Sequence, residues 1–355
     1  MRYEYTHLIP ENVAPKGTTG IVVMKTDADG TPIREACSIP AARMGDLAPP
    51  EGELILSFGL AGDIHLWISD GVTWYPNAKF DKALTFFEAE GCSFCVVCGD
   101  LTQTGFYRKV NESDPDEVPY LEELQMAKYK ELCDKHPALP VYELAGNHES
   151  YYNMPITNNL DKWEAYTGKR DLSYTVTYDD LVLVFLGEPN QSEAIESAGK
   201  TLLQGLLDDP ANEGKRFLVF VHSYLEEDSG DPHDYRENSI FTSAARAEFM
   251  NLLKGRDNLV LFHAHSHMAF ELQEGWPTAN YTDINGFKSV HIPSLSRPRG
   301  INHEGTTEKE KTPYMDDQSQ AYVVDVYPDC IHLRGRDLVN DRWVGIGTYR
   351  IEVTA

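Results

Sequence analysis

No stretch of this 355-residue sequence approaches the roughly 20 consecutive apolar residues that cross a bilayer as a helix. The longest apolar runs, Leu181 to Leu186 and Phe217 to Val221, have strand length. The start, Met1-Arg-Tyr-Glu-Tyr5, carries neither the basic region nor the apolar stretch of a secretory signal, so the chain reads as cytoplasmic. Basic residues are also scarce: 31 Lys and Arg stand against 56 Asp and Glu, a net charge of −25. A surface of that sign repels polyanions, so polymeric nucleic acid and anionic membranes are not expected partners. A small phosphorylated substrate remains admissible, because bound metal ions outweigh the global charge locally. Cysteine is sparse as well. Cys92, Cys95 and Cys98 recur every third residue, but Cys92 to Cys98 reads as a buried strand running into Gly99-Asp100. Strand alternation sets Cys92 and Cys95 on opposite faces, which favours core packing over a thiolate metal cluster. No repeat and no low-complexity tract stands out.

What is present is an ordinary globular composition, 41% hydrophobic and 25% charged, in a chain long enough for one large domain with an appendage. Residues 1–50 are rich in Pro, Gly, Thr and Ala and end in Pro49-Pro50. They read as an N-terminal extension, β-rich or an extended arm, without chemistry of its own. From residue 51 to the C-terminus a single domain is expected. Short apolar runs alternate there with amphipathic ones. Strands are expected at 54–58, 94–98, 141–144, 181–186, 217–221 and 259–262, and helices at 77–90, 120–136, 199–207 and 242–253. That alternation argues for an α/β fold with parallel strand pairs. The stretch 321–353 is strand-like, with turns at Pro328-Asp329 and Asn340-Asp341.

Five apolar strands are each followed at once by residues able to hold a metal ion. The series is Gly62-Asp63-Ile-His65, Gly99-Asp100, Gly146-Asn147-His148, His222, and His263-Ala-His265-Ser-His267. Functional groups collect at strand carboxyl ends in open α/β sheets. Each piece alone is commonplace, since Gly-Asp is a routine turn and a lone His is usually structural. All five in order are not. The residue types suit two divalent ions about 3.5–4 Å apart, which need a shared ligand that a carboxylate can provide. Neutral imidazole and amide or carboxylate oxygen suit Mn, Fe, Zn, Co or Ni, with no thiolate required. Water on such a pair loses a proton near neutral pH and becomes a nucleophile.

The order Asp63-x-His65, Gly99-Asp100, Gly146-Asn147-His148, His222, His265-x-His267 resembles the calcineurin-like metallophosphoesterase superfamily, over roughly residues 54–300. The resemblance implies an α/β fold, a four-layer α/β/β/α sandwich of two mixed sheets flanked by helices, and a dinuclear metal-dependent phosphoesterase. By motif, Asp63, His65 and His267 match ligands of one metal ion, and Asn147, His222 and His265 match ligands of the other. Asp100 matches the bridging carboxylate, and His148 the non-ligand histidine facing the leaving group. The activity implied is attack of a metal-bridging hydroxide on a phosphate ester, with His148 and Asp100 as catalytic residues. Ala264 departs from the usual Gly-His-x-His pattern. It is compatible with negative φ, and a His263/His265 register remains as the alternative.

Gly99-Asp-Leu-Thr is closest to bacterial cyclic-nucleotide phosphodiesterase-like members, which points to a phosphodiester and admits a nucleotide-like substrate. Gly146-Asn-His-Glu149 also occurs in protein Ser/Thr phosphatases. Those place an Arg soon after the bridging Asp and another after Gly-Asn-His-Glu, and this chain has neither. Arg297 and Arg299 have the chemistry to clamp a phosphate bidentately, and equally the look of a solvated loop. Tyr151, with Tyr152, could stack on a base or sugar, or simply pack. The rival readings are a phosphomonoesterase with the same centre, a non-catalytic binding module that kept the fold, and an assembly component docked through residues 1–50.

Overall fold

The computed structural model describes residues 20–26, 32–40, 48–68, 74–75, 77–103, 121–150, 155–190, 193–223, 243–270, 281–283, 286–299 and 315–354. Two six-stranded sheets lie face to face, and helices cover their outer sides.

The first sheet contains β3 (Leu56–Ala61), β6 (Cys95–Cys98), β7 (Val141–Leu144), β14 (Gln320–Val326), β15 (Cys330–Asp337) and β16 (Arg342–Glu352). Its order is β16-β15-β14-β3-β6-β7. The β3, β6 and β7 pairs are parallel, and the others antiparallel. Helices α1 (Asn77–Ala89) and α2 (Leu121–Asp134) connect the parallel strands. Phe80, Ala83, Leu84 and Phe87 recur at helical spacing and form the buried face of α1. Met126, Tyr129 and Leu132 do the same on α2, and both faces meet Cys95, Val97 and Ala61 on the outer side of this sheet.

The second sheet contains β8 (Ser173–Tyr178), β9 (Leu181–Leu186), β10 (Arg216–Val221), β11 (Leu259–His263), β12 (Tyr281–Thr282) and β13 (Lys288–His291), in the order β12-β13-β11-β10-β9-β8. Strands β9, β10, β11 and β13 are parallel, with antiparallel β12 and β8 at the edges. Helices α4 (Ser197–Asp208) and α5 (Ser243–Leu253) connect β9, β10 and β11 and bury Leu203, Phe249 and Leu253 on its outer side. The short α3 (Leu160–Thr167) buries Trp163 under the first sheet. Central strands such as β9 and β10 are buried at every residue, because each has a sheet on one side and helices on the other.

The core between the sheets is apolar and aromatic, with Phe94 stacked on Phe58, Phe58 edge-on to Phe220, and Phe220 stacked on both Phe185 and Phe262. This is the expected α/β/β/α sandwich. Strands β1 (Gly20–Thr26) and β2 (Pro32–Pro40) form an antiparallel hairpin whose second strand lies beside β16. Trp67–Ile68 (β4) pairs with Trp74–Tyr75 (β5) just beyond the end of β3. No helix among the described residues is long and apolar enough to cross a membrane.

Cys92, Cys95, Cys98, Cys133 and Cys330 are free thiols. Cys92 precedes β6 instead of belonging to it, so strand alternation does not govern it. It joins Cys95 in the outer layer while Cys98 faces the inter-sheet core. Burial pushes the Cys92 thiol up to about 12 and those of Cys95 and Cys98 well above the usual range. Packing, not coordination, is what these thiols do. Among the described residues, no group placed to hold a metal ion includes a cysteine.

Candidate metal centre

The carboxyl ends of β3, β6 and β7 from one sheet meet those of β9, β10 and β11 from the other at a single edge. Gly62 forms a bridge with Ser294, Asp63 N–H donates to Gly99 O (3.2 Å), and Ala264 N–H donates to His222 O (2.9 Å). The sharp exits from the strands cost backbone strain. Among the described residues, seven non-glycine residues have positive φ, and five of them are Asp63, His65, Asp100, His265 and His267. Such strain persists where the surroundings enforce it, and it collects at functional sites.

Two glycines make the convergence possible. A Cβ on Gly99, which has φ of 80°, would lie 2.4 Å from His222 Nδ1. A Cβ on Gly146 would lie 2.4 Å from Asp100 Oδ1. Only glycine lets the chain pass this close.

Ligand-capable atoms of Asp63, His65, Asp100 and His267 lie within 4.8 Å of one another, and so do those of Asp100, His222 and His265. Asp100 is common to both groups. His65 Nε2 is 2.9 Å from His267 Nε2 and 3.5 Å from Asp100 Oδ2. His267 Nε2 is 3.4 Å from Asp63 Oδ1. On the other side, His222 Nε2 is 3.2 Å from Asp100 Oδ2 and 3.1 Å from Asn147 Oδ1. Asn147 Oδ1 is also 3.0 Å from His265 Nδ1.

Backbone carbonyls set the tautomers. His222 Nδ1 donates to Cys98 O (2.8 Å), His267 Nδ1 to Arg297 O (3.3 Å) and His148 Nδ1 to Gln103 O (2.6 Å), since a carbonyl can only accept. The neutral forms of His222 and His267 therefore aim Nε2 lone pairs at carboxylate and amide oxygens. Acceptors facing acceptors need a proton or a cation between them. Buried Asp63 Oδ1 and Asp100 Oδ2 have no hydrogen-bond donor among the described residues. Leaving such oxygens buried is costly unless a cation joins them. The donor set and its orphaned oxygens fit a pair of divalent ions of the kind that imidazole and oxygen favour.

The titration pattern has the same origin. Burial pushes Asp63 up to about 8, the Asp100 charge adds to the rise, and His222 opposes it. Burial also works to raise Asp100, but the His222 and His148 charges outweigh it and hold Asp100 well below the carboxylate range. Burial works to lower His222, yet Asp100 lifts it well above the usual imidazole value. Burial and neighbouring imidazoles keep His65 and His267 well below theirs.

Around these groups lies a layer of supports. Glu149 accepts from Asp100 N–H (3.0 Å), Gly146 N–H (2.8 Å) and Thr102 N–H (3.1 Å), tying two strand ends together. Burial and the Asp100 charge push it up to about 8. Ser266 Oγ bonds to His291 Nε2 (2.6 Å), anchoring the loop between His265 and His267. His263 stays in β11, buried beside His291 (5.4 Å between rings) and outside both groups. Residues 294–299 wrap the Asp63 turn. Ser294 Oγ donates to Asp63 O (3.0 Å), and Lys79 Nζ on α1 donates to Ser296 O and Gln318 O, both at 2.6 Å.

That loop carries Arg297 and Arg299. Arg299 N–H donates to His267 O (2.6 Å), and the Arg297 guanidinium lies 5.9 Å from the Trp67 ring centre and 3.9 Å from Asp316. Both are half-buried beside the cluster, not out on a solvated loop. Tyr151 and Tyr152 lie outside the described residues. Glu188, at the end of β9, has no counterpart in the sequence reading. Gly187-Glu-Pro189 looks like a turn, and only the meeting of the sheets reveals the carboxylate as fully buried.

The calcineurin-like phosphoesterase family model matches residues 56–269. No curated protein sequence matches the chain. Among solved structures, a dimetal phosphatase from Danio rerio superposes with a TM-score of 0.55 at 13% identity, covering 85% of this chain and 100% of that one. Purple acid phosphatase PPD1 from yellow lupin seeds superposes with a TM-score of 0.51 at 15% identity, covering 92% of this chain and 58% of that one. At such identities the likeness is one of fold.

Proposed function

The chain belongs to the calcineurin-like phosphoesterase family and is a metal-dependent phosphoric ester hydrolase, and from that premise we propose that it cleaves a small phosphodiester. In this reading Asp63, His65 and His267 hold one divalent ion, Asn147, His222 and His265 hold a second, and Asp100 is shared. The observation that carries it is Asp100's membership of both groups, with its Oδ2 buried and without a hydrogen-bond donor among the described residues. When bound, the ions supply Lewis acidity, making water nucleophilic near neutral pH and offsetting charge on the phosphoryl oxygens.

The protein's own groups do the rest. His148 holds its Nδ1 proton against Gln103 O, which leaves Nε2 as the atom that carries a proton to the departing oxygen. Asp100 Oδ1 accepts from His148 N–H (2.9 Å) and so fixes that imidazole relative to the cluster. Arg297 and Arg299 clamp the non-reacting phosphoryl oxygens, and Lys79 keeps their loop in place. Tyr151 is the candidate for contact with the rest of the substrate.

The diester preference rests on the Gly99-Asp-Leu-Thr resemblance, with a nucleotide-like substrate as its natural extension. Monoester cleavage by the same centre is the alternative. Turnover of bis-p-nitrophenyl phosphate against p-nitrophenyl phosphate, with Mn²⁺ present, separates them. A higher kcat/KM on the diester supports the reading, and a higher one on the monoester replaces it.

A further inference from the structure

The two proposed cation positions are unequally charged. The first has two carboxylates, Asp63 and Asp100. The second has only the shared Asp100, because His222 and His265 are neutral as ligands and Asn147 offers an amide oxygen. A divalent ion in a buried site with half a share of one carboxylate is under-compensated.

A further carboxylate lies behind that second position. Glu188 follows β9 with one residue between, and it is fully buried. Its backbone N–H donates to Ala145 O (3.0 Å), so it sits where the second sheet meets the loop leading to Asn147. Its Oε1 accepts from Ser223 Oγ (2.5 Å), on the residue next to His222. Its Oε2 has no hydrogen-bond partner among the described residues. The next residue, Pro189, accepts from Ser150 Oγ (3.4 Å), lacing the same loop once more. Burial pushes this carboxyl up to about 8, and its ionised form, with one oxygen buried and without a hydrogen-bond partner among the described residues, needs a positive charge nearby.

We infer that Glu188 is a positioning residue that supplies the missing counter-charge for the cation at Asn147, His222 and His265. It holds the His222 end of β10 through Ser223 and lowers the energy of that cation without touching it. This extends the two-ion reading and depends on it.

The test is calorimetric titration of the cation-free full-length protein with Mn²⁺, with a thermal melt of each cation-free variant alongside. Two binding steps are expected for the unaltered chain. Glu188→Gln keeps the shape and the Ser223 contact while removing the charge. It should weaken one step by about 10–100-fold and leave the other within about twofold, with the cation-free melt no lower than that of the unaltered protein. Glu188→Asp, which keeps the charge, should recover most of the lost affinity. If Glu188→Gln binds both ions like the unaltered chain, or weakens both alike, or Glu188→Asp is as impaired as Glu188→Gln, the counter-charge role is wrong. If the unaltered chain itself fails to bind two ions, the two-ion reading falls, and this inference with it.

Discussion

The backbone N–H of His148 donates to Oδ1 of Asp100 at 2.9 Å, while Oδ2 of the same carboxylate has no donor among the described residues and lies 3.2 Å from His222 Nε2 and 3.5 Å from His65 Nε2. One side chain thus serves two ends. It joins the halves of the cluster and sets the imidazole proposed to protonate the leaving group.

His148→Gln is expected to lower kcat by about 10²–10⁴-fold for an alkyl ester, whose leaving oxygen needs a proton. For a p-nitrophenyl ester, a far better leaving group, the loss should be much smaller, with metal content unchanged. Steady-state kinetics on the two esters reads this directly. Equal losses on both would remove His148 from proton transfer.

Gly146→Ala places a methyl 2.4 Å from Asp100 Oδ1 and 2.6 Å from its backbone nitrogen. The loop must shift, and displacement of about 1 Å at a reacting centre costs about 10²-fold in rate. Overpacking should also cost about 1–3 kcal/mol of stability. Turnover and urea midpoints check both, and an unaltered rate would mean that the site tolerates a spacing it is argued not to.

Without cations, stability should fall as pH rises across the neutral range. Asp63, Glu149 and Glu188 are pushed up to about 8 in the folded chain, from ordinary values of 3.8 for Asp and 4.5 for Glu. Between those limits the folded chain holds protons that the unfolded chain has released, so raising pH favours unfolding. His222, lifted above its ordinary value, acts in the same direction. Asp100, held low, works the other way only at acid pH, whereas His65 and His267, held below their ordinary value of 6.5, oppose the trend until pH passes that value. The cation-free melting temperature should therefore decline most clearly between about pH 6.5 and about pH 8, and saturating Mn²⁺ should flatten the decline by replacing protons with cations. A rise over that interval would contradict the assigned burial of these carboxylates.

The polar end of each central strand was readable because a fully buried strand needs an unbroken apolar run, and Asp100 or His222 after such a run has no packing reason to be there. Helix α1 was readable to within a residue at its end, from Phe80, Leu84 and Phe87. Edge strand β8 was not. Its residues alternate between half-buried and exposed, and Ser173-Tyr-Thr-Val-Thr-Tyr178 carries no apolar run. Strand β13 is four residues long and begins with Lys288, too short to register against its neighbours. Glu188 and the hold of Lys79 on Ser296 O were invisible for another reason. Each depends on elements more than 30 residues apart meeting in space, which no local pattern encodes.

The shared role of Asp100 is the claim on which the rest depends, and turnover of bis-p-nitrophenyl phosphate by Asp100→Asn in Mn²⁺-replete buffer tests it most directly. Asp100→Asn should lose on the order of 10³-fold or more in turnover, with the fold intact by circular dichroism. Turnover close to that of the unaltered chain would contradict it.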